Sequence, residues 1–252
     1  MAQFDNRYAV AGSATRTGAA VDEGLRSYML GVYNYMAAGV ALTGIVAYLV
    51  SSAAMVERVG GKVALTPFGQ MLYATPLKYV IMLAPLAFVF FLSFRIYKMS
   101  VPAAQISFWL FAAVMGVSLS TIFLVFTGQS ITRVFFITAA AFAALSLYGY
   151  TTKKDLSGWG TFLVMGVIGL IIAALVNIWL QSSALQFAIS ALGVLIFAGL
   201  TAYDTQQIKD NYYEIAGDAT MMAKGAIMGA LNLYLDFINM FTSMLQLFGD
   251  RE

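Results

Sequence analysis

The chain contains no cysteine and no histidine. Their absence removes disulfides, thiolate nucleophiles, imidazole bases and the usual ligands of zinc, haem and iron–sulfur clusters. Charge is also scarce, at 10% of the 252 residues against 61% hydrophobic. The mean hydropathy is +0.81. A soluble domain keeps roughly a quarter of its residues charged, so lipid rather than water must cover much of this surface. The formal net charge is only +2, and the basic residues fall singly between hydrophobic segments. No nucleic-acid partner is indicated.

What the chain has is a series of long apolar runs. A bilayer core of roughly 30 Å takes about 20 mostly apolar residues in a helix. Runs of that kind cover 28–50, 77–97, 103–126, 134–150, 160–180, 184–203 and 225–248. They predict an all-α integral membrane protein, a seven-transmembrane-helix bundle over residues 28–248, with a polar N-terminal tail at 1–27 and a C-terminal tail at 249–252. The first tail carries Asp5, Arg7, Arg16, Asp22, Glu23 and Arg26 and no apolar run, so it does not read as a cleavable signal. The seventh run is the most polar, with Asn232, Asp236, Asn239, Thr242 and Ser243, and either spans or enters partway. Connections are short apart from 51–76 and 205–224, which leaves one bundle and no second domain. Gly225 and Gly229, four apart, suit close helix packing.

Orientation follows from lysine and arginine. With the N-terminus cytoplasmic and seven crossings, Arg7, Arg16, Arg26, Arg95, Lys98, Lys153, Lys154, Lys209 and Lys224 fall inside, and Arg58, Lys62, Lys78, Arg133 and Arg251 outside. Nine against five favours that orientation.

Of the twelve acidic residues, all but Asp204 and Asp236 lie in tails or loops. An ionisable side chain in the middle of a membrane helix costs about 2.5–3.5 kcal/mol on insertion scales, so it faces an interior or a watery cavity. Asp204, at the end of the sixth run, also fits a plain helix cap. Asn232, Asp236, Asn239 and Ser243 are spaced by four, three and four and share one helical stripe. That stripe lines a cavity or hydrogen-bonds to neighbouring helices. The same topology brings Arg95 to the cytoplasmic half with both aspartates, as counter-ion or as interfacial anchor. Two carboxylates about 4 Å apart repel by about 4 kcal/mol at an effective dielectric near 20 and titrate as a unit. Without histidine, a response to pH near neutrality falls to carboxylates, whose oxygens also suit Ca²⁺.

Two strings carry a family resemblance: Ala202-Tyr203-Asp204-Thr205-Gln206-Gln207-Ile208-Lys209 and Leu231-Asn232-Leu233-Tyr234-Leu235-Asp236-Phe237-Ile238-Asn239-Met240-Phe241. They resemble the Bax inhibitor (transmembrane Bax inhibitor motif) family in its bacterial branch. Lys153-Lys154-Asp155-Leu156-Ser157 resembles its loop between the fourth and fifth helices. The resemblance implies a bundle with the seventh helix at its centre, in a bacterial inner membrane, acting as a pH-sensitive calcium leak with no resident cofactor. In that picture Asp204 and Asp236 would be its pH sensor and Arg95 its latch. Their oxygens also make the two aspartates candidate calcium ligands, and the shared stripe makes Asn232, Asn239 and Ser243 candidates to line the path. A non-transporting regulator that binds a membrane protease or cell-death factor is the alternative. Paired aspartates also resemble those of intramembrane aspartyl proteases, but the Gly-x-Gly-Asp string of those enzymes is missing: Leu233-Tyr234-Leu235 precedes Asp236. An enzyme is therefore not expected.

Overall fold

A segment surrounded by hydrocarbon must satisfy its own backbone N–H and C=O groups, and a helix is the form in which one segment can do so. A computed structural model describes residues 5–57 and 63–251, with side-chain surroundings in the first helix from residue 23. Arg58 and Lys62, used above for orientation, lie outside the described residues, as do the surroundings of Arg7 and Arg16. The described helices are α1 (Asp5–Ala54), α2 (Pro67–Ala74), α3 (Leu77–Arg95), α4 (Val101–Leu119), α5 (Gly128–Thr151), α6 (Ser157–Leu180), α7 (Ser183–Ile215) and α8 (Ala219–Phe248). Single 3₁₀ segments follow α3 at Ile96–Lys98 and α4 at Ser120–Leu124.

Among the described residues six helices are long and apolar enough to cross a membrane: Glu23–Ala54, Leu77–Lys98, Val101–Leu124, Gly128–Thr151, Ser157–Leu180 and Ser183–Ile215. They coincide with the first six apolar runs. α8 has the length but not the composition, because Lys224, Asp236 and its asparagines dilute the apolar residues. Burial runs the opposite way from a soluble protein. The most apolar span, α6, is the least buried, whereas α8 buries side chains along its whole length, from Lys224 to Leu245. Lipid tails solvate apolar faces, so polar side chains are the ones that must be turned inward.

α8 packs against α1, α4, α5 and α7. Its two ends are fixed at opposite ends of α4. Near its start Lys224 Nζ donates to the Tyr97 carbonyl, just ahead of α4, at 3.0 Å. Past its end the Asp250 carbonyl accepts from Thr127 N at 3.0 Å, just beyond the 3₁₀ segment that ends α4. Asp250 N donates to Ser130 Oγ at 2.9 Å and its carboxylate pairs with Arg133 at 2.9 Å. α8 therefore runs the full length of the bundle beside α4.

The sixth run does not stop at residue 203. α7 continues to Ile215, and the expected connection over 205–224 shrinks to a turn at 216–218, where Gly217 takes φ +113°. Asp218 then caps α8, its Oδ1 accepting from Thr220 N and Met221 N. The extension is polar enough to look like loop, yet Thr205, Ile208 and Tyr212 form a buried stripe at helical spacing. The 51–76 connection holds an antiparallel hairpin, Met55–Glu57 with Val63–Leu65, and α2. Gly225 and Gly229 serve the close packing their spacing suggests: a β-carbon at either would lie 2.7 Å from Ile215 or 3.1 Å from Ile208 of α7.

Candidate functional site

α7 and α8 pack antiparallel, with Ile208 over Gly229 towards one end and Gly193 against Ser243 towards the other. That register sets Asp204 opposite Asp236. Asp236 is 4% exposed, Asp204 is partly buried, and the two carboxyl groups lie within hydrogen-bonding range of each other. Among the described residues no hydrogen-bond donor reaches Asp236 Oδ2. Two carboxylates are acceptors only. A proton held on one of them, or a cation between them, is what can satisfy both.

Among the described residues no basic side chain fills that role. Arg95 sits on the wrong face of α3: Leu92 and Ile96, four apart, are fully buried, while Arg95 is exposed between Phe94 and Tyr97. Among the described residues the ion pair is Arg133–Asp250, so Arg95 joins neither aspartate. Topology placed Arg95 at the right end of the bundle, but depth does not determine which way a helical residue faces. Lys209, a turn beyond Asp204, donates to the Tyr150 carbonyl at 3.1 Å. Lys224 is 8% exposed and engaged with Tyr97, about 18 Å along α8 from Asp236 at 1.5 Å per residue. Among the described residues, no group of three or more acidic side chains stands together as a metal cage.

The other three members of the polar stripe of α8 have different surroundings. Asn232 lines a cavity of about 230 Å³ at the start of α8, shared with Asn211 and Glu214 of α7 and Tyr28 of α1. Asn239 donates to its own helix at the Leu235 carbonyl, 2.9 Å. Ser243 is packed on Gly193.

Around the pair run hydrogen-bonded chains that the sequence reading did not find. Thr205 Oγ1 donates to the Thr201 carbonyl at 2.7 Å. Ser146 of α5 therefore donates to Thr205 at 2.9 Å, and Tyr33 of α1 to Ser146 at 2.7 Å. In the same way Thr43 donates to the Ala112 carbonyl at 2.8 Å and the fully buried Tyr234 hydroxyl donates to Thr43 at 2.6 Å, linking α8, α1 and α4. Gln206 grips the loop between α5 and α6 with both ends of its amide. Its Oε1 accepts from Leu156 N at 2.7 Å and its Nε2 donates to the Lys154 carbonyl at 2.9 Å.

Residues 25–252 match the family described as Inhibitor of apoptosis-promoting Bax1. The chain belongs to the Bax inhibitor family. Among its relatives, the inner membrane protein YbhL of Escherichia coli K12 is 45% identical over 91% of this chain and 94% of its own length. An uncharacterised protein of Caulobacter vibrioides is 46% identical over 99% and 98%. In this Bax inhibitor family protein the string from Tyr203 to Lys209 is a row of contacts. Tyr203 covers Gly160, Asp204 meets Asp236, Thr205 takes the Ser146 bond, Gln206 holds the loop, Ile208 fills the gap at Gly229, and Lys209 ties down the end of α5. The only hint of Gln206 in the sequence is its place in that string.

Gln206→Ala would leave the Leu156 N–H and the Lys154 carbonyl without partners. It should destabilise the fold by about 1–3 kcal/mol, read as a lower thermal unfolding midpoint in detergent. Gln206→Glu, which can still accept from Leu156 N, should fall between wild type and Ala.

Proposed function

We propose that this protein is a pH-sensitive calcium leak across a bacterial inner membrane, gated by Asp204 and Asp236. The observation that carries the reading is the pair itself: two facing acceptors on adjacent helices, one of them buried with an oxygen, Asp236 Oδ2, that no donor reaches among the described residues. Such a contact has two ways to be stable. With one proton shared, the carboxyl groups join α7 to α8 and the seam stays shut. With both ionised, about 4 kcal/mol of repulsion at an effective dielectric near 20 favours either separation of the helices or a cation between them. A difference of that size is enough to bias a two-state packing. Calcium asks for about six to eight oxygens, of which the pair supplies only part. Water and Asn232, one turn along α8, would complete the shell, and loose binding of this kind suits an ion in passage.

In this reading α8 is the seventh crossing and the centre of the bundle, with the N-terminus cytoplasmic. The support is that its ends are tied to the opposite ends of α4, together with the bias of lysine and arginine. In the cysteine-free chain, Ala219→Cys and Arg251→Cys should react with an impermeant reagent from opposite faces of sealed vesicles. Reaction from the same face would make α8 re-entrant.

Calcium flux from liposomes against pH tests the gate. Asp204→Asn and Asp236→Asn should each abolish most of the pH dependence between roughly pH 5 and 8, and the double variant should add little, because either change breaks the unit. Arg95 could act as a latch only by leaving its exposed position, so Arg95→Gln should keep the wild-type profile; an altered profile would restore that role. Dependence on pH that survives in both single aspartate variants would end the paired-gate reading. Absence of any wild-type flux would leave the non-transporting membrane regulator in its place.

A further inference from the structure

A cavity lies elsewhere, between α1 and α5. It measures about 610 Å³ and is walled by apolar side chains including Leu30, Ala37, Ala143 and Leu147. Leu30 and Leu147 are 51% and 62% exposed, so the groove opens sideways, where a membrane protein meets lipid. Its floor carries Tyr33 and Ser146, whose hydroxyls are already bonded to each other and on to Thr205. The floor therefore presents no unmet polar group, and hydrocarbon can lie on it without cost.

One end of the groove is different. Arg26 and Tyr150 line it, and Arg26 is exposed and in no ion pair among the described residues. Lys209 is bonded to the Tyr150 carbonyl, and Lys153 and Lys154 stand exposed just past the end of α5. Among the residues with described surroundings, the acidic groups near this end in the chain are Glu23, one turn before Arg26, Asp155, which accepts from Ser157 N at 2.8 Å, and Asp210. From Arg26 to Ala37 the groove follows α1 for about 16 Å at 1.5 Å per residue, close to half of a roughly 30 Å hydrocarbon core. Basic clusters at the ends of grooves between transmembrane helices suit anionic headgroups.

We propose that the α1–α5 groove is a binding site for an anionic phospholipid of the surrounding bilayer, one acyl chain lying along the groove with the headgroup at Arg26. The site is independent of the calcium reading: it holds whether or not the protein conducts.

Native mass spectrometry of the full-length protein, released from detergent with equal phosphatidylglycerol and phosphatidylcholine of matched chains, tests this. Wild type should retain phosphatidylglycerol preferentially. Arg26→Gln should lower that preference about five-fold, the effect of about 1 kcal/mol per basic residue near the surface. Ala143→Trp, which fills the groove from α5, should lose bound lipid of both kinds, and Ala37→Trp should do the same from α1. Both positions face the groove and are exposed, so melting curves like wild type's should accompany the loss. Equal retention of the two lipids by wild type would overturn the headgroup assignment. Undiminished lipid on both tryptophan variants would overturn the location.

Discussion

One contact sets the terms for the rest of this fold: two carboxyl groups from adjacent helices, one of them enclosed, with Asp236 Oδ2 reached by no donor among the described residues. A bilayer gives an enclosed carboxyl no water, and among the described residues no lysine or arginine is aimed at the pair. The protein must therefore keep α7 and α8 in register closely enough for the two groups to satisfy each other. Much of the surrounding construction serves that register. Gly193 and Gly229 let the helices approach, Tyr234 is locked to Thr43, which is itself held by the Ala112 carbonyl, and Thr205 is held from α5 through Ser146. The burial of α8, which has the length of a span but no stretch as apolar as those of the six spans, follows from the same constraint.

The spans and the two aspartates were legible because each leaves a one-dimensional trace. An apolar run long enough to cross a bilayer shows itself without knowledge of its neighbours, and a charge inside such a run stands out. The continuation of α7 from Thr205 to Ile215 leaves no such trace. Its helix is sustained by tertiary contacts at Thr205, Ile208 and Tyr212 while its other faces carry Gln207, Asp210 and Glu214, so by composition it resembles a loop. α8 was uncertain for the reverse reason, since its polar residues face protein rather than lipid.

Facing was the other blind spot. Counting residues from a membrane boundary gives the depth of a side chain but not its direction around the helix axis. Arg95 came out at the right end of the bundle and on the outer face, one position before the buried Ile96. Lys224 was counted only as a charge for orientation, yet it is buried and tethers the start of α8 to the Tyr97 carbonyl. Ser146 gives no signal, and Gln206 none beyond its place in the string from Tyr203 to Lys209, because an uncharged polar residue between apolar ones is common in membrane helices and its partner is fixed only in three dimensions.

The central claim is that Asp204 and Asp236 hold one proton between them and exchange it for calcium. Infrared difference spectroscopy of the protein in lipid, at constant pH with and without calcium, observes the protonated carboxyl directly. The account predicts that calcium removes a protonated-carboxyl band in wild type and produces no such change in Asp204→Asn or in Asp236→Asn. A wild-type band indifferent to calcium, or a calcium-sensitive band that persists in both single variants, would contradict it.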